Sequence, residues 1–310
     1  MRTWFILEHG TPDSKKQHYL RVPEDGKCAG HLTLQEGYCV RSKGVIRALT
    51  GTYSLVRKTG LLELPALRRG FVAASFFYKQ WYEDPFWKLM ERTPGLLADG
   101  DVLDIGANIG YTAWVFARWM APGAKVYAFE PDITSYASLE EVIRRKQLGD
   151  RVESLNMAAG SSEGHLEFWH NKDHAADHRV VTAEFRKTFP EGEGFVQVPV
   201  TTVDDFVAAR QIEKLSFIKI DVQGYELAVC EGMNQTLKRF PRLSVCLEFS
   251  PEGMRDLGFQ PEDVLNFFFA RGYKMFVVTR EATIPVADAE AIRPMMGKAG
   301  YVDLLFKREE

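Results

Sequence analysis

Two acidic residues, Asp104 and Glu130, each lie at the end of a short apolar run, and small residues follow the first. Val102-Leu103-Asp104-Ile105 runs into Gly106-Ala107-Asn108-Ile109-Gly110, and Lys125–Phe129 runs into Glu130-Pro131. In open α/β sheets, ligands bind beyond the carboxyl ends of the strands, where strand order reverses. Gly106 permits a tight turn and the close approach of a ligand. Gly110 lets the next helix pack close to the strand, and the start of that helix offers N–H groups. Asp104, Gly106, Ala107, Asn108 and Gly110 are therefore candidate cofactor contacts.

The spacing narrows the cofactor. Gly106 and Gly110 make Gly-x-x-x-Gly, which lacks the Gly-x-Gly-x-x-Gly fingerprint of dinucleotide sites. A pyrophosphate would also avoid the carboxylate of Asp104. S-adenosylmethionine carries an ammonium and a sulfonium and no phosphate, so there the carboxylate is an asset. Glu130 comes 24 residues after Gly106, where an acidic side chain can take both hydroxyls of an adenosine ribose. Pro131 fixes the exit from that strand. After a third apolar run, Val152–Leu155, the segment Asn156-Met157-Ala158-Ala159-Gly160 reads as a loop beside the adenine, which adds Asn156 and Ala158 to the contacts.

The candidates for chemistry lie further on. In Phe217-Ile218-Lys219-Ile220-Asp221, strand alternation puts Lys219 and Asp221 on one face, and Leu247-Glu248-Phe249 brings Glu248 alongside. Lys219, Asp221 and Glu248 form a candidate catalytic cluster, with Asp221 also at the cofactor. Burial could lower the lysine pKa enough for general-base work. A structural ion pair holding two strands in register reads the same residues equally well. Asp221 with Glu248 could instead hold a divalent cation, though two carboxylates are thin grounds and no metal is expected.

His165, His170, His174 and His178 cluster, the last three spaced by four. Asn171, Asp173 and Asp177 oppose a helix there, so the segment reads as a loop without metal. His178, beside Arg179, could face the acceptor as a general base.

These residues need a frame. Apolar runs at 102–105, 125–129, 152–155, 216–220, 243–249, 274–278 and 302–306 alternate for the most part with helical patterns. That rhythm predicts an α/β fold, a Rossmann-like seven-stranded mostly parallel sheet flanked by helices. Residues 1–95 form a mixed or helical extension before it, and 96–310 the cofactor-binding domain. The extension's placement suggests a lid, a substrate-recognition element or an oligomer contact. Tyr78, Trp81, Tyr82 and Trp87 are its candidates for a sugar ring.

The order and content of the blocks 102–110, 129–131 and 218–226 resemble the FkbM family of methyltransferases, as does Thr201-Thr202-Val203-Asp204-Asp205-Phe206. The resemblance spans roughly 96–280. It implies S-adenosylmethionine-dependent methyl transfer, usually to a hydroxyl of a sugar, glycolipid or polyketide-type product. Where that family commonly has Asp-Val-Glu-Gly, this chain has Asp221-Val222-Gln223-Gly224, and Gln223 is expected to tune the acceptor site. An N-methyltransferase, a protein-directed enzyme or a non-catalytic cofactor-binding or partner-docking domain remain the alternatives.

Composition sets outer bounds. With 310 residues, 45% hydrophobic and 26% charged, and a net charge of −3, the chain is ordinary globular protein and no nucleic-acid binder by charge. Residues 1–95 carry 15 Lys+Arg against 9 Asp+Glu, so the charge is uneven, the remainder being acidic. Cys28, Cys39, Cys230 and Cys246 show no metal-site spacing. No apolar run reaches a membrane span or signal peptide. A cytoplasmic enzyme with a small or glycosylated hydroxyl acceptor is expected, with a homodimer left open.

Overall fold

The computed structural model describes residues 65–170, 178–188, 194–297 and 300–308. The chain divides into two compact units, Met1–Leu55 and Val56–Glu310, and every described residue belongs to the second. Cys28, Cys39 and His174 lie outside the described residues, as does the side chain of Tyr82.

The second unit opens with helices α1 (Pro65–Tyr78) and α2 (Phe86–Arg92), joined by a π-helical turn, Lys79–Glu83. Asp84 ends that turn, and its carboxylate accepts the Phe86 amide at 2.7 Å, which starts α2. Then strand and helix alternate. β1 (Asp101–Ile105) is followed by α3 (Tyr111–Trp119), and β2 (Val126–Phe129) by α4 (Ile133–Arg145). Asp132 caps α4 by accepting the amides of Thr134 and Ser135, as Asp ahead of a helix does. β3 (Val152–Leu155) and β4 (Ala158–Ala159) lead to β5 (Gly164–Trp169), β6 (Arg179–Val180), α5 (Ala183–Thr188) and β7 (Phe195–Thr201). Thr202 caps α6 (Val203–Ala209), and β8 (Leu215–Ile220) follows. After β8 come α7 (Glu226–Glu231), α8 (Asn234–Arg239) and β9 (Ser244–Phe249). Helices α9 (Pro251–Asp256) and α10 (Pro261–Phe269) precede β10 (Lys274–Val278) and β11 (Thr283–Val286). A short helix α11 (Ala289–Ile292) and β12 (Val302–Lys307) end the described chain.

The main sheet runs β11-β10-β12-β9-β8-β1-β2-β3, so it has eight strands where the pattern predicts seven. β11 is the addition, an antiparallel partner of β10. The strands from β3 to β9 are parallel, and β12 runs antiparallel between β9 and β10, so β10 shares the direction of β9. Both faces are covered, as a parallel sheet requires. One face buries Leu103, Ile105, Ile218 and Leu247 with α6, α7 and α10; the other buries Val102, Ala128, Phe217 and Cys246 with Leu89, Phe116 and Leu139. Part of the N-terminal extension thus joins the core: Phe76, Phe86, Leu89 and Met90 pack on α3 and the sheet. A second sheet, β4-β7-β5-β6, stands beside the first. The segment read as a loop at 156–160 therefore holds a short strand, because β7 offers it a parallel partner. Among the described residues, no helix is long and apolar enough to cross a membrane.

Strand order reverses between β1 and β8, so the chain leaves these neighbours in opposite directions and opens a crevice at their carboxyl ends. Gly106 sits there with φ +81°, and a Cβ on it would come 1.8 Å from the carbonyl oxygen of Asp221. Its missing side chain therefore admits the neighbouring backbone, not a ligand. Gly110, with φ +85°, makes room for Leu139 of α4, so it serves helix–helix and not helix–strand packing. The turn after β8 is held by Glu226, which is fully buried and accepts the amides of Val222 and Gly224, both at 3.1 Å.

Two stability changes follow. Gly106→Ala combines a left-handed φ with a backbone collision and should cost more than about 2 kcal/mol in denaturant melts. Burial raises the Glu226 carboxyl to about 7. Below the unfolded-chain value it is neutral folded and unfolded; as pH rises towards its folded value, only the unfolded chain ionises and stability is lost. Glu226→Gln keeps the acceptor oxygen without that loss. It should gain on the wild type by about 3 kcal/mol between pH 5 and pH 8; parallel melting curves across that range would show the carboxyl is not what titrates.

Candidate active site

A cleft of about 490 Å³ opens at the reversal point. It is within the size range of small-molecule sites. Of the residues singled out from sequence, Gly106, Ala107, Asn108, Glu130, Pro131, Ala158, Lys219, Asp221 and Glu248 line it. Asp104, Gly110 and Asn156 do not. Asp104 is fully buried behind the wall, where its Oδ2 accepts the Thr112 hydroxyl at 2.7 Å and its Oδ1 lies 3.7 Å from the Lys219 ammonium. Asn156 shapes the turn from outside, its amide donating to the carbonyls of Glu130 and Pro131.

The glycine turn has little left to offer a phosphate. The amides of Gly106 and Ala107 donate to the carbonyl of Phe129, Asn108 donates to Glu130 Oε2 at 2.8 Å, and Gly110 donates to Ala107. These four N–H groups of the turn are spent inside the chain. Glu130 is almost fully buried, takes the Asp132 amide on Oε1 at 2.8 Å, and is raised to about 8 by burial, against the pull of those amides.

Lys219 is the cation of the site. It pairs with Asp104 in the β1/β8 register, and its Nζ donates to the Gly106 carbonyl at 3.1 Å and to Asp221 Oδ2 at 3.2 Å. Burial alone would strip its proton, but Asp221 and Asp104 more than offset that, and its pKa is raised. The general-base reading of Lys219 is therefore corrected: it is held as an ammonium. Burial likewise pushes the Asp221 carboxyl up, and Lys219, Lys79 and the Gln223 amide together pull it below the ordinary value.

The carboxylates beyond Asp221 behave differently. Gln223 Nε2 donates to Asp221 Oδ1 at 2.9 Å and to Glu248 Oε1 at 3.2 Å, so one amide bridges two acids. Asp303 stands opposite Glu248 in the antiparallel β9/β12 ladder. Burial, then Asp221 and Asp303, push Glu248 well above the carboxylate range; burial, then Asp84 and Asp221, raise Asp303 to about 8. Asp303 and Asp84 escape the sequence reading. The one signal for Asp303 is a lone charge in the apolar run 302–306.

The extension reaches the cleft through Lys79, Asp84, Pro85 and Phe86. Of the aromatics proposed for a sugar ring, Tyr78, Trp81 and Trp87 do not. Trp81 is 57% exposed and Trp87 packs on Trp114 and Trp119. His178 and Arg179 do line the cleft, on the wall supplied by the second sheet.

A sequence profile of the methyltransferase FkbM domain matches residues 104–275. Methyltransferase sdnD of Sordaria araneosa is 24% identical over 207 residues, covering 59% of this chain and 78% of that protein. The hexuronic acid methyltransferase AglP of Haloferax volcanii is 30% identical over 142 residues, 45% of this chain and 53% of that one, so the match spans about half of its length. The 31-O-demethyl-FK506 methyltransferase FkbM of Streptomyces tacrolimicus is 27% identical over 182 residues, 52% of this chain and 68% of its own. The matched segment runs from the buried acid behind the glycine turn to β10, through every strand that builds the cleft except β12, and the chain belongs to the FkbM family of methyltransferases.

Proposed function

We propose that the protein is an S-adenosylmethionine-dependent O-methyltransferase whose acceptor is a hydroxyl on a sugar, glycolipid or polyketide-type product. The observation that carries the cofactor is the donor set of the cleft. The turn amides of Gly106, Ala107, Asn108 and Gly110 are already bonded, so these four donors are not offered to a pyrophosphate. Among the carboxyls on the wall, Asp221 is held below the ordinary value and so offers the negative charge that a cationic ligand needs. Glu130 would take the ribose hydroxyls, Met157 and Ala158 would flank the adenine, and ionised Asp221 would meet the ammonium. When bound, the cofactor supplies a methyl group on a sulfonium leaving group.

The chain's part is to align the hydroxyl and remove its proton. Lys219 cannot accept a proton, and Asp221 is held low. Glu248, with Asp303 beside it, is left as the base, because burial and the neighbouring acids raise its carboxyl and make it a stronger proton acceptor once ionised. The acceptor class follows what relatives are named for: a hexuronic acid, the 31-oxygen of a demethylated FK506, and a 2-O-methyl transfer.

Calorimetry should show saturable S-adenosylmethionine binding, weakened at least about tenfold in Glu130→Ala; saturation by NAD instead would sink the reading. Glu248→Gln should lower kcat about 100-fold or more with little change in cofactor affinity. Since Asp303 sits at about 8 and Glu248 is raised beside it, kcat should climb as pH rises through that region. A profile flat from pH 6 to pH 9 would remove the pair from the proton transfer.

A further inference from the structure

At the opposite wall of the cleft, a second group of titratable side chains meets. β5 and β6 pair Phe168 with Val180 and Trp169 with Arg179, so the same register sets His170 opposite His178 one step beyond. Their rings stack with centroids 4.8 Å apart and planes 14° from parallel. That is the spacing of neighbouring strands. The His170 amide donates to the Gly194 carbonyl at 2.8 Å, which ties this end to the residue leading into β7.

Both rings point at one carboxylate. Nδ1 of His170 contacts Asp132 Oδ2, and Nε2 of His178 lies 3.5 Å from Asp132 Oδ1. The second separation is longer than an ordinary N–H···O bond. Asp132 Oδ1 is already committed to the amides of Thr134 and Ser135, at 3.0 and 2.8 Å. Asp132 and His178 are buried, and His170 is half-buried. The three ligand atoms lie within 4.8 Å of one another, and among the described residues they form the one such group.

We propose that Asp132, His170 and His178 bind a divalent transition-metal ion of the zinc class. Imidazole nitrogens and a carboxylate oxygen are the donors such ions prefer. Tetrahedral bonds of about 2.0–2.2 Å set ligand atoms roughly 3.4 Å apart, close to what His178 and Asp132 already show. Three protein ligands are the number found where a metal keeps a position for an outside oxygen. His178 is itself part of the cleft wall, which gives that position access to a ligand. The helical spacing of the histidines has no part in this; the hairpin register and a residue from the far end of β2 make the site. The proposal stands apart from the methyl-transfer reading and is tested without activity.

The untagged, metal-free chain is titrated with Co²⁺, followed by visible absorption, and then with Zn²⁺ as competitor. One equivalent of Co²⁺ should give the bands of a low-coordinate nitrogen/oxygen site, and Zn²⁺ should displace it. His170→Ala and His178→Ala should each weaken binding at least about tenfold. His165→Ala, on the exposed start of β5, should leave it unchanged. Asp132→Asn keeps the helix cap while removing the ligand charge, and should also weaken binding, which decides the matter if a histidine variant fails to fold. The proposal is overturned if the wild type takes up no stoichiometric metal. It is overturned equally if the variants bind as well as the wild type, or if a thiolate charge-transfer band places the ion on cysteine.

Discussion

A lysine ammonium buried between two parallel strands has no water to solvate it, and leaving it alone there would cost several kcal/mol. Lys219 is 3% exposed and is met from three directions: by Asp104 from the neighbouring strand, by Asp221 from the end of its own, and by the carbonyl of Gly106 from the turn. These partners exist together only if β1 and β8 pair in one register, with Asp104 opposite Lys219. They also require the Gly106 turn to press against the Asp221 backbone, which glycine alone allows. The crevice inherits its shape from this arrangement. The ion pair that reads from sequence as one of two alternatives is formed, and it ties Lys219 of β8 to Asp104 of β1.

One cation cannot neutralise every acid around it. Lys219 and Lys79 pull Asp221 low, while burial and neighbouring acids keep the others raised, Asp221 and Asp303 acting on Glu248 and Asp84 and Asp221 on Asp303. The cleft therefore has an acid held low near the reversal point and acids pushed up one and two strands away. Gln223 sits between them, on a left-handed turn with φ +54°, and donates to both sides. A carboxylate at that position would bring a third negative charge and no donor. The neutral amide lets Glu248 approach Asp221 without an added cation, which gives a physical account of the residue that departs from the family pattern.

The main sheet was legible because its strands are buried on both faces, so they appear as unbroken apolar runs, and because Asp132 and Thr202 cap their helices with side chains that suit that position. Glu130 was legible for the same reason, as an acid at the end of such a run. What failed was the reach of individual groups. Asp104 has the right position in sequence, yet alternation turns it towards Thr112 and Lys219 and away from the cleft. Gly106 and Gly110 fit their turn, but the atoms they make room for come from β8 and α4, which no local pattern contains. The lysine pKa moves opposite to expectation because two acids outweigh desolvation, a balance that depends on distances of 3.2 and 3.7 Å.

The acceptor side was least legible, and the architecture explains why. The cofactor side is built from consecutive strand ends of one sheet, so its residues recur at strand–helix spacing. The other walls come from elements outside that alternation: the π-helical turn at Lys79–Glu83 with Asp84, the β5/β6 hairpin, and Asp303 on the antiparallel β12. Their residues are 79, 84, 178 and 303, with no period in common. Each is brought to the cleft by a different tertiary contact, so substitutions in any one of these elements can reshape the acceptor pocket while the Lys219 network keeps the strand ends in place. A fold of this kind can vary those walls while the strand ends stay fixed, because the walls come from elements outside the alternation that builds the sheet.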